Sequence, residues 1–233
     1  EYCDLLIAGS GPSGLASAYA AAQNGARVIL AEDKSRFGGS LLTSEVTIGN
    51  QSGQEWAEKI ISELKSMPNV VVKNRSQVFG YYDHNMLVMS ERVSDHLPKS
   101  DKYIPKQRLW YIRAKEVVIS SGSIERPLVF GNNDAPGVML SSAAKEYLKI
   151  YGVLVGKKPI VFTNNDSGYE TAIEFKKNGI DPIVLDTRKD PNSEIIKEAK
   201  DLNINIKNSY VVVAAKGYKK VNSADIAKIS DDK

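Results

Sequence analysis

Leu6–Ala18 reads LIAGSGPSGLASA, and this stretch decides the fold. An apolar run meets three glycines at GxGxxG spacing, and small apolar residues then recur at helical intervals. The order strand, tight turn, helix is therefore predicted. Each glycine has its own steric task. Gly9 lets the chain leave the strand, Gly11 lets paired phosphates approach bare backbone, and Gly14 lets helix and strand pack closely. The unpaired N–H groups and positive end of the helix complement an anion.

Working outward, CDLLIAG and ARVILAE read as buried strands on either side of a helix, PSGLASAYAAAQNG, that stops at Asn24–Gly25. A parallel pair with a right-handed crossover follows from those lengths. Ser10, Pro12 and Ser13 complete the turn and join the three glycines as candidate nucleotide contacts. Glu32 closes the second strand, where a carboxylate accepts hydrogen bonds from ribose hydroxyls and repels a 2′-phosphate. A dinucleotide without that phosphate is favoured over NADP. Asp33 stands beside it, and the run RFGGS adds Arg36, Gly38, Gly39 and Ser40, whose backbone amides could also face the ligand. Gly122, at the end of the later strand EVVISSGS, is the last candidate contact.

The same pattern recurs. Displaced by 154 positions, Leu5–Glu32 align without a gap on Pro159–Asp186, and Ile160–Ala172 reads IVFTNNDSGYETA. Gly14 falls on Gly168, Asn24–Gly25 on Asn178–Gly179 and Glu32 on Asp186. Gly9 and Gly11 become Thr163 and Asn165. A duplicated mononucleotide-binding unit is expected, with side chains where the second turn would need bare backbone. Its glycine kept for helix packing survives, and the pair ascribed to the ligand does not. An empty or altered second site follows, although Asn165 could also bond a ligand placed differently.

Between the units, SGQEWAEKIISELKSM has Trp56, Ile60, Ile61 and Leu64 at helical spacing and feeds the strand NVVVKN. Gln77–Ile119 alternates in short runs around a polar loop, as an antiparallel meander inserted in a parallel sheet would. The whole reads as an α/β, Rossmann-like FAD/NAD(P)-binding fold of two βαβ units, the second truncated. Residues 1–127 are assigned to the first domain with its meander, 128–156 to a crossover linker and helix, and 157–233 to the second, degenerate domain.

The 233 residues are 42% hydrophobic and 25% charged with a net charge of +3, ordinary for a soluble globular chain. Basic residues alternate with acidic ones, so no nucleic-acid footprint is visible. One cysteine, Cys3, excludes an intrachain disulfide and any cysteine-based zinc cluster, and fits a reducing cytoplasm. The apolar helix after Gly14 is too short for a membrane span. The chain starts at Glu1 without Met and stops at ISDDK, so a piece of a longer polypeptide is expected. His84 and His96 have neither a nucleophile nor metal-ligand spacing beside them, and no catalytic or metal-binding residue is assigned. Tyr81, Tyr82, Trp110 and Tyr111 read as sheet packing.

With both units and VVISSGSIERPLVFGNNDAPGV in place, the chain resembles the two-dinucleotide-binding flavoprotein oxidoreductases. Their disulfide reductases need a cysteine pair that is absent here. More narrowly, FGYYDHN, ERVSDHLP, QRLWYIRAKEVVISSGSIERPLVFGNNDAPGVML and VFTNNDSGYETA resemble the central region of the alpha subunit of heterotetrameric sarcosine oxidase. That resemblance implies part of an enzyme that oxidatively demethylates sarcosine to glycine, with hydrogen peroxide formed and tetrahydrofolate taking the one-carbon unit. It implies beta and small subunits as partners, with flavins held at the interface between subunits and by the beta chain. It further implies NAD at the alpha site, touched by Gly9, Gly11, Gly14 and Glu32. FAD is the alternative, as in a self-sufficient NADH-dependent reductase, which the side chains at Thr163 and Asn165 disfavour. A cofactor-free assembly domain is the third reading, disfavoured by the intact first turn.

Overall fold

The structure is a computed structural model and describes residues 1–230. The chain forms two compact units that part between Ser123 and Ile124.

In the first unit, β1 (Tyr2–Ala8), α1 (Pro12–Gln23) and β2 (Val28–Ala31) build the predicted βαβ start. A short hairpin, β3 (Thr47–Ile48) and β4 (Gln51–Ser52), leads into α2 (Gly53–Ser66). Ser52 caps that helix reciprocally with Glu55: the Ser52 N–H donates to the Glu55 carboxylate at 2.9 Å and the Glu55 N–H to the Ser52 hydroxyl at 3.2 Å. Met67, extended ahead of Pro68, ends it. Then come β5 (Val70–Lys73), β6 (Ser76–Tyr82), β7 (Met86–Arg92) and β8 (Gln107–Ile119). All six longer strands lie in one sheet, in the order β5-β2-β1-β8-β7-β6.

β8 serves both halves of that sheet. Its first half, Gln107–Arg113, runs antiparallel to β7, and its second, Arg113–Ile119, runs parallel to β1. The sequence suggested two separate runs here, because alternation gives way to continuous hydrophobicity midway. The cause is burial: even-numbered Ile112 and Ala114 face a core, whereas the later residues join the parallel sheet. Two cores sandwich the parallel strands. Ile7, Leu15, Val28, Leu30, Ile60 and Leu64 pack under the helices. On the other face, Cys3, Leu6, Ile29 and Ala31 pack with Leu87, Met89, Ile112 and Ala114 of the meander.

The second unit contains α3 (Ser141–Tyr151), β9 (Ile160–Thr163), α4 (Ser167–Lys177), β10 (Ile183–Asp186), α5 (Glu194–Asp201) and β11 (Asn205–Asn208), then the antiparallel pair β12 (Tyr210–Lys216) and β13 (Ser223–Lys228). Its parallel sheet has the order β11-β10-β9. The segment read as linker and helix belongs to this unit's packing. Ala144 of α3 sits in a core with Tyr169, Phe175, Val184 and Ile196, and Gly131 bridges to Ala214 of β12.

α1 and α4 end alike. Asn24 donates its side-chain amide to the Ala20 carbonyl at 2.8 Å, and Asn178 does the same to Glu174 at 2.9 Å. Gly25 and Gly179 follow at φ 82° and 79°, the left-handed turn that glycine adopts without strain. The 154-residue offset therefore relates equivalent positions in three dimensions.

Candidate functional site

The first turn lies where β1 and β8 end side by side. Strand order reverses there, β2 leaving to one side and β8 entering from the other, and open α/β sheets bind ligands outside the strand ends at such a point. Gly9 has φ +103°, and a Cβ on it would fall 2.3 Å from the Ser120 carbonyl oxygen. A Cβ on Gly14 would fall 2.0 Å from the Gly9 carbonyl oxygen. Both glycines are thus demanded by the chain itself. Gly11 is different: a Cβ there meets nothing within 4 Å, and its φ of −65° suits any residue. No side chain caps α1 at Gly11, and Pro12, which lacks an N–H, and Ser13 are exposed beside it.

Glu32 is nearly buried, 6% exposed, at the end of β2. Its Oε2 accepts from the Ser10 N–H at 2.9 Å and the Ser10 hydroxyl at 2.5 Å, and its Oε1 from the Lys34 N–H at 2.9 Å. Burial raises its carboxyl above the ordinary glutamate range, and a hydrogen bond with Asp33 adds to this, while the Ser10 and Lys34 bonds pull it down.

The run RFGGS folds back onto the turn. The Gly38 N–H donates to Ser10, at 3.1 Å to its carbonyl and 3.2 Å to its hydroxyl. Gly39, at φ +54°, comes so close that a Cβ would sit 2.9 Å from the Gly11 Cα. Arg36 and Ser40 are exposed on the same loop. Gly122, at φ +71°, is exposed with open space at its Cβ. Ser10 is the exception among the candidates. It is fully buried, with its N–H, hydroxyl and carbonyl committed to Glu32 and Gly38, so it supports the turn from within rather than touching a ligand.

A cavity of about 160 Å³ continues from Gly9 and Asp33 to Ser76, Gln77, Val78 and Ser121. The last four were not singled out in the sequence. Ser76 arrives because its N–H donates to the Glu32 carbonyl at 2.8 Å, which sets the start of β6 beside the end of β2. No local motif announces that neighbour, and the strand order, which places β6 at the opposite edge from β2, does not announce it either.

The second turn is filled by its own side chains. A Cβ on Gly168 would lie 2.7 Å from the Thr163 Cβ, so this glycine is needed for packing. Asn165 accepts at Oδ1 from the Ser167 N–H at 2.9 Å and the Ser167 hydroxyl at 2.7 Å. A helix-start amide offered to phosphate in the first unit is therefore satisfied internally here. The Thr163 hydroxyl donates to the Asn165 carbonyl at 2.8 Å. Asp186, the counterpart of Glu32, is fully buried and holds Arg188 through Nε at 3.0 Å and Nη2 at 2.8 Å, with the Tyr169 hydroxyl donating at 2.8 Å. Burial and the Asp186 bond push the Tyr169 hydroxyl well above the usual phenol range. Arg188 also pairs with Asp166 at 2.8 Å.

Among the described residues no cluster of three or more His, Cys, Asp or Glu could hold a metal, and no helix is long and apolar enough to cross a membrane. His84 lies in a one-turn helix at φ 58°, and His96 stands 3.8 Å from Asp95. The meander aromatics divide. Trp110 donates to Glu91 at 2.7 Å and packs on the second core, whereas Tyr81, Tyr82 and Tyr111 are more than half exposed.

Residues 4–87 match the family model for FAD dependent oxidoreductase. The sarcosine oxidase alpha subunit of Rhizobium meliloti is 45% identical over 188 residues, which are 80% of this chain and 19% of that protein. The corresponding subunit of Corynebacterium sp. strain P-1 is 38% identical over 80% of this chain and 20% of its own length. Among solved structures, T. acidophilum thioredoxin reductase superposes with a TM-score of 0.71 at 16% identity, covering 100% of this chain and 72% of that one. L-proline dehydrogenase from P. horikoshii gives 0.64 at 21% identity, covering 98% and 40%. These structures speak for the fold alone. The chain spans about a fifth of the length of the sarcosine oxidase subunits it matches.

Proposed function

Because this chain is homologous over 80% of its length to sarcosine oxidase alpha subunits, and carries an FAD-dependent oxidoreductase match over residues 4–87, we propose that it is the nucleotide-binding part of an amine-oxidising enzyme of that kind. The first turn binds an adenine dinucleotide. Its pyrophosphate lies over Gly11 at the start of α1, and its ribose diol is accepted by Glu32. The observation that carries this reading is the contrast between turns: open space and an uncapped helix at Gly11, against the self-capped turn at Asn165. One nucleotide per chain follows.

The family match favours FAD as the occupant; it lends no support to NAD, the occupant implied by the resemblance. When bound, a flavin of this kind accepts two electrons from a reduced partner. The residues of this chain bind and orient it: α1 directs N–H groups at the pyrophosphate, Gly38 and Gly39 close against the turn, and Asp33 lines the cavity toward β6. Oxidation of sarcosine to glycine, transfer of the one-carbon unit to tetrahydrofolate and association with the beta and small subunits complete the proposal as the resemblance implies, and a cytoplasmic location is added from the single cysteine.

The test is the mass and absorbance of ligand released from the protein purified without added cofactor. FAD at close to one per chain is expected. NAD at the same stoichiometry would replace the occupant and keep the site. Two nucleotides per chain, or none even after incubation with FAD and NAD, would refute the site assignment.

A further inference from the structure

Ser10 stands between Gly9 and Gly11, where the next helix and a ligand would both be near, yet its side chain turns away from both. It is fully buried. Its hydroxyl lies 2.5 Å from Glu32 Oε2 and accepts from the Gly38 N–H at 3.2 Å. One side chain therefore ties the glycine turn, the acid at the end of β2 and the loop that closes over the turn. With its N–H on Glu32 and its carbonyl on Gly38 as well, nothing of Ser10 remains for a ligand. Whatever it does, it does through its neighbours.

The neighbour that matters is Glu32. A carboxylate taken out of water prefers to be neutral, and a protonated Glu32 would present a donor where ribose hydroxyls need an acceptor. Three donors hold the acid, two from Ser10 and one from Lys34. A carboxylate has about four lone-pair directions, and Asp33 competes with a ligand for the one these donors leave. Other charges nearby do not duplicate the role of Ser10. Asp33 hydrogen-bonds to Glu32 and favours its protonation. The Lys73 carbonyl accepts from the Glu32 N–H, while its ammonium sits on Glu91 at 2.9 Å. Arg75 gives its N–H to the Lys34 carbonyl.

We propose that Ser10 is a positioning residue for nucleotide binding: its hydroxyl holds the buried Glu32 as an acceptor aimed at the ribose diol, and couples that acid to the Gly38–Gly39 loop. This rests on the site assignment above. It predicts a pH signature that a packing role would not produce. Without the hydroxyl, Glu32 takes up a proton at higher pH, and affinity falls as pH drops through that range.

The test uses ADP, which carries both the diol and the pyrophosphate, and calorimetry on the full protein freed of nucleotide between pH 6 and 9. The variants are Ser10→Ala, Glu32→Ala and the double change. Affinity of the wild type should vary less with pH than that of Ser10→Ala. Ser10→Ala should bind more weakly than wild type at pH 6, by up to about tenfold, the ceiling that a one-unit rise in the Glu32 pKa sets, and should recover toward wild type at pH 9. In the Glu32→Ala background, adding Ser10→Ala should change affinity by less than about twofold. If Ser10→Ala loses its cooperative thermal transition, Ser10→Gly provides the same comparison with no added volume. An equal loss at every pH, or full additivity of the two changes, would overturn the proposal. Failure of the wild-type protein to bind ADP would instead sink the site assignment on which it stands.

Discussion

Gly11→Ala separates ligand from fold at one atom. The added methyl meets no protein atom within 4 Å, and the backbone at φ −65°, ψ −179° accommodates alanine without strain. Alanine is a poorer N-cap than glycine by roughly half a kcal/mol, and the smaller conformational freedom of the unfolded chain returns about as much. The net effect on stability should stay within about 0.5 kcal/mol, or roughly 2 °C in Tm for a chain of this size. On the ligand side, the methyl occupies the place of the pyrophosphate. Pushing phosphate away from two backbone N–H groups, each contributing about 1.5 kcal/mol or more to a charged acceptor, removes about 3 kcal/mol, a loss in affinity of roughly 150-fold. Calorimetric titration with FAD, paired with a melting curve of the nucleotide-free protein, measures both. Gly14→Ala is the control, since its methyl would lie 2.0 Å from the Gly9 carbonyl oxygen. It should lower stability by about 2 kcal/mol or more, whatever is bound. Unchanged FAD affinity in Gly11→Ala, or a drop in Tm matching that of Gly14→Ala, would refute the placement of the phosphates.

Arg188→Met should destabilise the protein by about 3 kcal/mol, because it strands the fully buried Asp186 carboxylate with the Tyr169 hydroxyl and a single N–H; urea titration measures it, and a loss under 1 kcal/mol would contradict the buried pairing. Gly168→Ala should cost about 1–3 kcal/mol by collision with Thr163, and Thr163→Gly in the same chain should recover most of it; additive losses would disprove that contact. Cys3 is 3% exposed, and burial, with the Asp4 charge next, pushes its thiol up to about 11. A thiol is nucleophilic only as the thiolate, so native labelling by iodoacetamide at pH 8 should be slow and should accelerate in step with global unfolding; rapid labelling of the native protein would show that β1 is not packed as described.

Much of the first site was legible because steric need leaves a local mark. The order of β1, turn, α1 and β2, the acid at their end and the matching caps at Asn24 and Asn178 follow from spacing alone. The RFGGS loop was visible as glycines, and its contact on Gly11 needs them. Other features depend on partners far away in the chain. Ser76–Val78 join the cavity because the turn after β5 carries the start of β6 to the Glu32 carbonyl, although β6 itself lies at the far edge of the sheet order. The inward turn of Ser10 depends on Gly38, 28 residues on. The double service of β8 to two halves of a sheet could not be read from its own alternation.

The twin turns also correct the roles given to two glycines. From sequence, Gly9 and Gly11 looked like one pair, lost together in the second unit because a ligand was lost. The structure divides them. Gly9 answers to protein: its φ of +103° and the Ser120 carbonyl 2.3 Å from its would-be Cβ would require glycine even in a molecule that bound nothing. At the matching position Thr163 is buried and makes its own bonds to Asn165, so the second strand exit has been rebuilt around a side chain. Gly14 and Gly168 are both held by contacts within their own turns. Of the turn glycines Gly9, Gly11, Gly14 and Gly168, Gly11 alone is one that the protein itself does not need. A bare position that packing does not demand, at an uncapped helix start, is the feature that separates a nucleotide site from a tight βα turn of the same spacing. The Asn165 side chain at the corresponding place, bonded to the amide a phosphate would take, shows how the same turn closes.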